Sequence, residues 1–352
     1  MYNRIRYLSE AGVDIYLHCF QYNGRQEATE LNKWCKEVWY YPRKVGWKGL
    51  SPFIPYMIYS RRDKLLLKRL REIDAPILFE GVHCSLYMSD PALKNRVKII
   101  RNHNIEHDYI RQLGNKEKNP IKKLYYYFES LLLKRYEHRL NDIQAFLPIS
   151  TSDYDYFKHL YPTAKFSLTP PFHSYRKVMS HTGMGSYCLF HGNLHHPENR
   201  EAVFYLLDEV FSKINTPLII AGRNPGDDMI DACAHLPHCT LIANPDTEAM
   251  EQLIQDAQLQ LMYTFQPTGM KTKLLIGMFY GRFILANEQM VRSTGLDHAC
   301  IMTHGADEIR QKIEEYMPVP FMQKDIDYRV TALKERYDNA TNAARIITFL
   351  PQ

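Results

Sequence analysis

The chain has 352 residues, of which 45% are hydrophobic and 24% charged, and a formal net charge of +5. That length exceeds one ordinary domain and suits two, and the composition is that of a globular chain able to bury two cores. No apolar run approaches the ~20 residues of a membrane span, and no basic stretch followed by an apolar one opens the sequence. A cytoplasmic protein is expected, and seven cysteines without a C-x-x-C pair fit free thiols in a reducing compartment.

The chain opens on a helix-like segment, NRIRYLSEAG, followed by VDIYLHCF at 13–20, which reads as a buried strand. An aromatic stretch then carries Trp34, Trp39, Tyr40, Tyr41, Trp47, Phe53 and Tyr56, read as a loop-rich subdomain. At 61–71, Arg61, Lys64, Lys68 and Arg71 recur on one helical face, with Leu66, Leu70 and Ile73 roughly opposite. Such a basic face beside aromatics fits a solvated helix or peripheral contact with an anionic membrane, here the inner surface. No nucleic-acid motif accompanies it.

Strands are expected at 76–80, 97–101 and 145–149, the last weakened by Pro148. Between them, residues 121–142 predict a long helix with Leu124, Phe128, Leu132, Tyr136 and Leu140 spaced by four. Glu129 and Glu137 on that helix read as solvated or ion-paired. A shorter helix follows at 153–161. Residues 169–186 hold two prolines and two glycines with little periodicity, which marks an interdomain linker.

The alternation then restarts, with strands at 187–191, 218–221, 240–243, 259–263 and 282–286. Helices are expected at 198–213, 227–234, 246–256 and 272–280, with a mostly helical tail from 305. The expected fold class is α/β, with two successive Rossmann-like domains at 1–170 and 171–352 separated by that linker.

Three loops of the second half leave strands at their carboxyl ends, the edge where ligands sit in open α/β sheets. They begin at His191-Gly192-Asn193, at Ala221-Gly222-Arg223, and at Thr264, the third running through Thr268, Gly269, Lys271 and Lys273. Cations at a helix start are disfavoured by about 0.3–1 kcal/mol each. An anion there reverses the sign, so Lys271 and Lys273, with the Thr268 hydroxyl and the Gly269 backbone, point to a diphosphate. His191, His195 and His196 cluster without a carboxylate to complete a metal site, and read as surface or supporting histidines.

The segment GMKTKLLIGMFYGRFILANEQMVRSTGL resembles the donor-binding segment of family-4-type retaining glycosyltransferases with the GT-B fold, of bacterial type. FHGNLHHPENREAV and LIIAGRNPG resemble the first two strand–loop units of their second domain, and RNHNIEHDYIRQL resembles their His-Asn-x-Glu segment. The resemblance implies a hexose donor, UDP- or GDP-sugar, bound mainly by the second domain, and a glycan or lipid-linked acceptor near the first. It implies no cofactor, no metal, and retention of the anomeric configuration. Lys273 then matches the phosphate-binding lysine, Gly192 and Arg223 fall on the pyrophosphate loops, and His103 lies near the transferred sugar. Glu80 and Glu106, at strand ends, are candidate acceptor contacts.

Two departures stand out. The two carboxylates of the Glu-x7-Glu motif fall on Thr268 and Ile276, and isoleucine cannot hold ribose hydroxyls. The chain also starts with a helix where those enzymes have a strand and a Gly loop, so the first domain is expected to lack its opening strand. A non-catalytic scaffold or a sugar-nucleotide epimerase of the same fold are the competing readings.

Overall fold

The computed structural model describes residues 1–21, 24, 26–140, 142–266 and 272–351. Every pair of hydrogen-bonded strands is parallel, as the alternation of apolar runs and helices requires. The chain divides into two compact units, Met1–His173 with Tyr337–Gln352, and Ser174–Arg336. The linker boundary lies close to the expected residue 170. The final stretch, assigned from sequence to the second domain, instead clusters with the first.

In the first unit, β1 (Tyr16–Gln21) pairs with β2 (Glu37–Pro42). Separately, β3 (Ile77–Glu80), β4 (Lys98–Arg101), β5 (Ala145–Phe146) and β6 (Lys165–Phe166) form a four-stranded sheet in that order. The sheet of this unit is thus in two pieces. The opening helix, Tyr2–Glu10, places Leu8 against Ile99, Ala145 and Leu147, and the last helix, Asn339–Ile347, adds Ala343 and Ile346 to the same cluster. Asn339 fastens that return by accepting from His173 N at 3.3 Å and donating to His173 O at 2.8 Å.

The aromatic stretch is not a loop throughout. Val38-Trp39-Tyr40-Tyr41 are strong β formers and make up the centre of β2, where the Trp39 and His18 rings stack at 4.8 Å across the strands. The basic helix spans Lys64–Glu72 and is capped by Asp63, which accepts from Leu65 N at 2.8 Å. Its cationic face is partly consumed. Arg71 pairs with Asp90 at 2.7 Å, Arg69 donates to Tyr41 Oη at 2.9 Å, and Arg61 donates to the Met57 carbonyl.

The long helix spans Pro120–Glu137 and is turned over relative to its expected packing. Leu124 and Phe128 are exposed, whereas Glu129, Ser130, Leu133 and Glu137 are buried. Glu129 and Glu137 are therefore not solvated. Glu129 accepts from Tyr56 N at 2.9 Å and Met57 N at 3.0 Å, and Glu137 accepts from Glu106 N at 2.8 Å. Ser130 donates to His107 O at 2.8 Å. Backbone groups at the ends of two neighbouring helices would otherwise be buried unpaired, and this polar face satisfies them.

The second unit is one six-stranded sheet of β7 (Cys188–Asn193), β8 (Leu218–Arg223), β9 (Cys239–Ala243), β10 (Leu259–Met262), β11 (Phe283–Ala286) and β12 (Ile301–Met302). Their spatial order is β12-β11-β10-β7-β8-β9. The chain starts in the middle at β7, winds outward to β9, and returns to β10 on the other side of β7. This is the doubly wound arrangement, with Phe190, Leu206, Val210, Leu218 and Leu261 in the larger of its cores.

Candidate functional site

The winding direction reverses between β7 and β10, and in such sheets the ligand crevice opens outside the carboxyl ends of the strands at that point. There β7 and β8 run in register as His191↔Ala221, Gly192↔Gly222 and Asn193↔Arg223. The two glycines allow a close approach: a Cβ on Gly222 would lie 1.9 Å from the Gly192 carbonyl oxygen. No other residue type fits at 222 without moving the end of β7.

Lys273, in the first turn of the helix Thr272–Tyr280, is held at this reversal from three directions. Its Nζ donates to Tyr263 O, just past β10, at 3.0 Å and to Asn199 Oδ1 at 3.1 Å, and it lies 4.6 Å from the ring centroid of Phe190 on β7. Asn199 in turn donates to Asn193 O at 2.9 Å, so one amide joins the β7 loop to the lysine. Sequence reasoning missed Asn199; its signal is an asparagine in the first helical turn after a strand–Gly–Asn loop. The result is a half-buried ammonium fixed at the carboxyl edge of the sheet, beside the reversal.

Around it, Asn193 is half-buried and Arg223 is exposed at the end of β8, where Asn224 N donates to Asn244 Oδ1 at 2.9 Å. Thr268, Gly269 and Lys271 lie outside the described residues. Of the three clustered histidines, His195 and His196 are exposed but His191 is buried. Burial, and then the charge of Lys273, push the His191 imidazole down to about 3, so it is neutral. Ile276 packs against the cluster of Leu189, Ala221, Ile254 and Ala257. Arg282 and Asn287, both in the motif segment, are structural here. Arg282 donates to Ala257 O at 3.2 Å, and Asn287 donates to Thr264 O at 2.8 Å, tying the end of β11 to that of β10.

In the first unit the carboxyl ends of β3 and β4 bring together Glu80, Arg101 and His103. Glu80 Oε1 bonds His103 Nε2 at 2.5 Å and lies 3.4 Å from Arg101 Nη1, and its other oxygen pairs with Arg4. Burial alone would raise the Glu80 carboxyl, but Arg4, the His103 hydrogen bond and Arg101 outweigh it and hold it well below the usual carboxylate range. Glu80 is thus a committed anion that positions His103, rather than a free acceptor contact. His103 does not cap the helix Glu106–Lys116, whose N-cap is Ile105 without a side-chain bond.

Glu106 is buried, and burial, then Glu137 and Asp153, push its carboxyl up to about 8. It is a neutral acid turned into the protein, not an exposed acceptor residue. The unfolded carboxyl ionises near its ordinary value while the folded one does not. The contribution of Glu106 to stability is therefore lost as pH rises from about 4.5 to about 8, and that contribution is level outside the window. Glu106→Gln is expected to remove this slope: the variant should gain several degrees in Tm at pH 8 and little at pH 4.5. Parallel melting curves of variant and wild type across that range would contradict the assignment.

No family model matches the chain. A solved glycosyltransferase from Rickettsia africae superposes with a TM-score of 0.65 at 11% identity, covering 99% of this chain and 92% of that one. The chain has the GT-B glycosyltransferase fold. The same GT-B fold relates it to Anabaena Alr3699/HepE, solved in complex with UDP, at TM-score 0.60 and 10% identity over 95% of this chain and 99% of that one. S. aureus TarM, solved with UDP and α-GlcNAc-glycerol, gives a TM-score of 0.56 at 13% identity over 84% of this chain, which spans 58% of TarM's own length. By sequence, an uncharacterised 44.6 kDa protein in the cps region of Klebsiella pneumoniae is 25% identical over 363 residues, covering 96% of this chain and 91% of that one.

Proposed function

We propose that the protein is a metal-independent, retaining hexosyltransferase that uses a UDP- or GDP-sugar and a glycan or lipid-linked acceptor in polysaccharide biosynthesis. The observation that carries this reading is the Lys273 ammonium, fixed at the β7/β10 reversal by Tyr263, Asn199 and Phe190. The UDP complexes among the solved relatives and the cps-region relative support it.

In the proposed reaction the bond between the sugar C1 and the β-phosphate oxygen breaks. A bond from C1 to an acceptor hydroxyl oxygen forms on the same face, and the hydroxyl proton leaves with the diphosphate. Negative charge grows on that diphosphate. Lys273, Arg223 and the helix start at Thr272 stabilise it, beside Gly192 and Asn193, and the sequence assigns Thr268, Gly269 and Lys271 to the same role. His103, oriented by Glu80, contacts the transferred sugar. The charge at the leaving group thus comes from ammonium, guanidinium and amides.

The test is acceptor-dependent release of nucleotide from a panel of UDP- and GDP-sugars, with and without EDTA. Turnover unchanged by EDTA is expected; loss that Mn²⁺ restores would overturn the metal-free electrostatics. Interconversion of the donor sugar without acceptor would make the protein an epimerase. Failure to bind any nucleotide would favour the scaffold reading, which Ile276 supports: it is partly buried against Leu189 and Ala221, at the position where the Glu-x7-Glu motif has a carboxylate.

A further inference from the structure

The long helix Pro120–Glu137 leaves an apolar stripe uncovered. Ile121, Leu124, Phe128 and Leu131 follow the i, i+3, i+7, i+10 pattern of one helical face, and Ile121 and Leu124 are 79% and 70% exposed. The opposite side of the helix is the one buried, through Glu129, Ser130, Leu133 and Glu137. The segment anchored to this helix at Glu129, through the Tyr56 and Met57 amides, presents a second apolar group. In it Trp47 is 79% and Phe53 82% exposed, beside exposed Val45 and Leu50. Two groups of exposed large apolar side chains in one unit mark an interaction site.

Its charge says what covers it. Between Lys116 and Arg139 there are seven lysines and arginines, while two of the three acids there, Glu129 and Glu137, are buried. From Arg43 to Arg62 there are five lysines and arginines and no aspartate or glutamate. A second copy docking on this face would bring like charge against like charge across a two-fold axis. An anionic surface meets both features, since Trp and Phe enter the interface while Lys and Arg stay at the headgroups.

We propose that the helix Pro120–Glu137 and the 45–53 segment together dock the protein on an anionic lipid bilayer. Arg69 and Arg71 of the helix Lys64–Glu72, by contrast, are engaged with Tyr41 and Asp90. No helix among the described residues is long and apolar enough to cross a membrane, so the mode is surface insertion.

The inference stands on the surface alone and is tested without donor or acceptor. The full chain is floated with phosphatidylglycerol/phosphatidylethanolamine vesicles and with phosphatidylcholine vesicles, at low and high salt. Binding to the anionic vesicles at least tenfold tighter, weakened by salt and accompanied by a blue shift of Trp fluorescence, is expected. The double variant Ile121→Ser/Leu124→Ser should lose about tenfold in vesicle affinity while keeping its thermal unfolding and nucleotide binding. Equal partitioning of variant and wild type, or no vesicle binding by wild type, would overturn the proposal. So would a wild-type dimer in light scattering that the double variant converts to monomer, because the stripe would then be a self-interface.

Discussion

Lys273→Ala is expected to weaken nucleotide diphosphate binding and slow turnover, with a combined loss of about 2–4 kcal/mol, or roughly 30- to 1000-fold. The ammonium opposes phosphate charge in both the bound donor and the transition state, so both constants should move. Because the Lys273 Nζ lies over the Phe190 ring, Lys273→Met serves as a control that keeps side-chain volume there and removes charge. It should bind nucleotide as poorly as the alanine variant while melting close to wild type. His103→Ala should read differently: transfer falls by about 10²-fold while free nucleotide binds as before. Titration calorimetry with UDP and GDP, beside initial rates, separates these outcomes. Unchanged nucleotide affinity in both Lys273 variants would remove the central support for a transferase.

The second large effect is on stability. Glu80→Ala should destabilise the first unit by about 3–5 kcal/mol, because Arg4 and Arg101 are buried and would be left without their anion. Arg101 keeps its carbonyl partners at Thr169 and Pro170, at 3.2 and 3.1 Å, but those carry no charge to replace the carboxylate. Acidification should act in the same direction. Glu80 is held below its ordinary value, so its contribution is present above the unfolded carboxylate range. It is lost as pH falls through the folded value. Glu80→Gln should therefore be least stable relative to wild type near neutrality, and the gap should close in acid. Urea unfolding of the full chain at pH 7 and pH 3 reads this directly. A constant gap between the two curves would show that shape at residue 80 matters and charge does not.

The second unit was largely legible in the sequence because parallel strands buried on both faces leave continuous apolar runs. YCLF, PLII and LQLMY each announce a strand within a few residues of its true start, and the reversal at β7/β10 follows from their order. The position of Lys273 was readable as a cation at a helix start. Its anchoring by Asn199 was not, since that requires the folding of two loops toward each other. In the first unit the four-residue spacing from Leu124 to Leu140 mixed two faces: its first members are exposed and its last, Leu140, is buried. The deciding information was non-local, namely the amides of Tyr56, Met57 and Glu106 that need Glu129 and Glu137. The strands β6 and β12, two residues each, are too short to leave a periodic signal.

The return of residues past Tyr337 to the first unit also sets an order of assembly during synthesis. The unit that lies later in the chain, Ser174–Arg336, is continuous. The unit that is made first must wait through that whole stretch for Ala343 and Ile346 to cover Leu8, Ile99, Ala145 and Leu147. At ~5–20 residues per second the wait is roughly 10–30 s, during which an incomplete parallel sheet stands partly open. The N-terminal unit thus stays incomplete until Ile346 is free to fold back onto it.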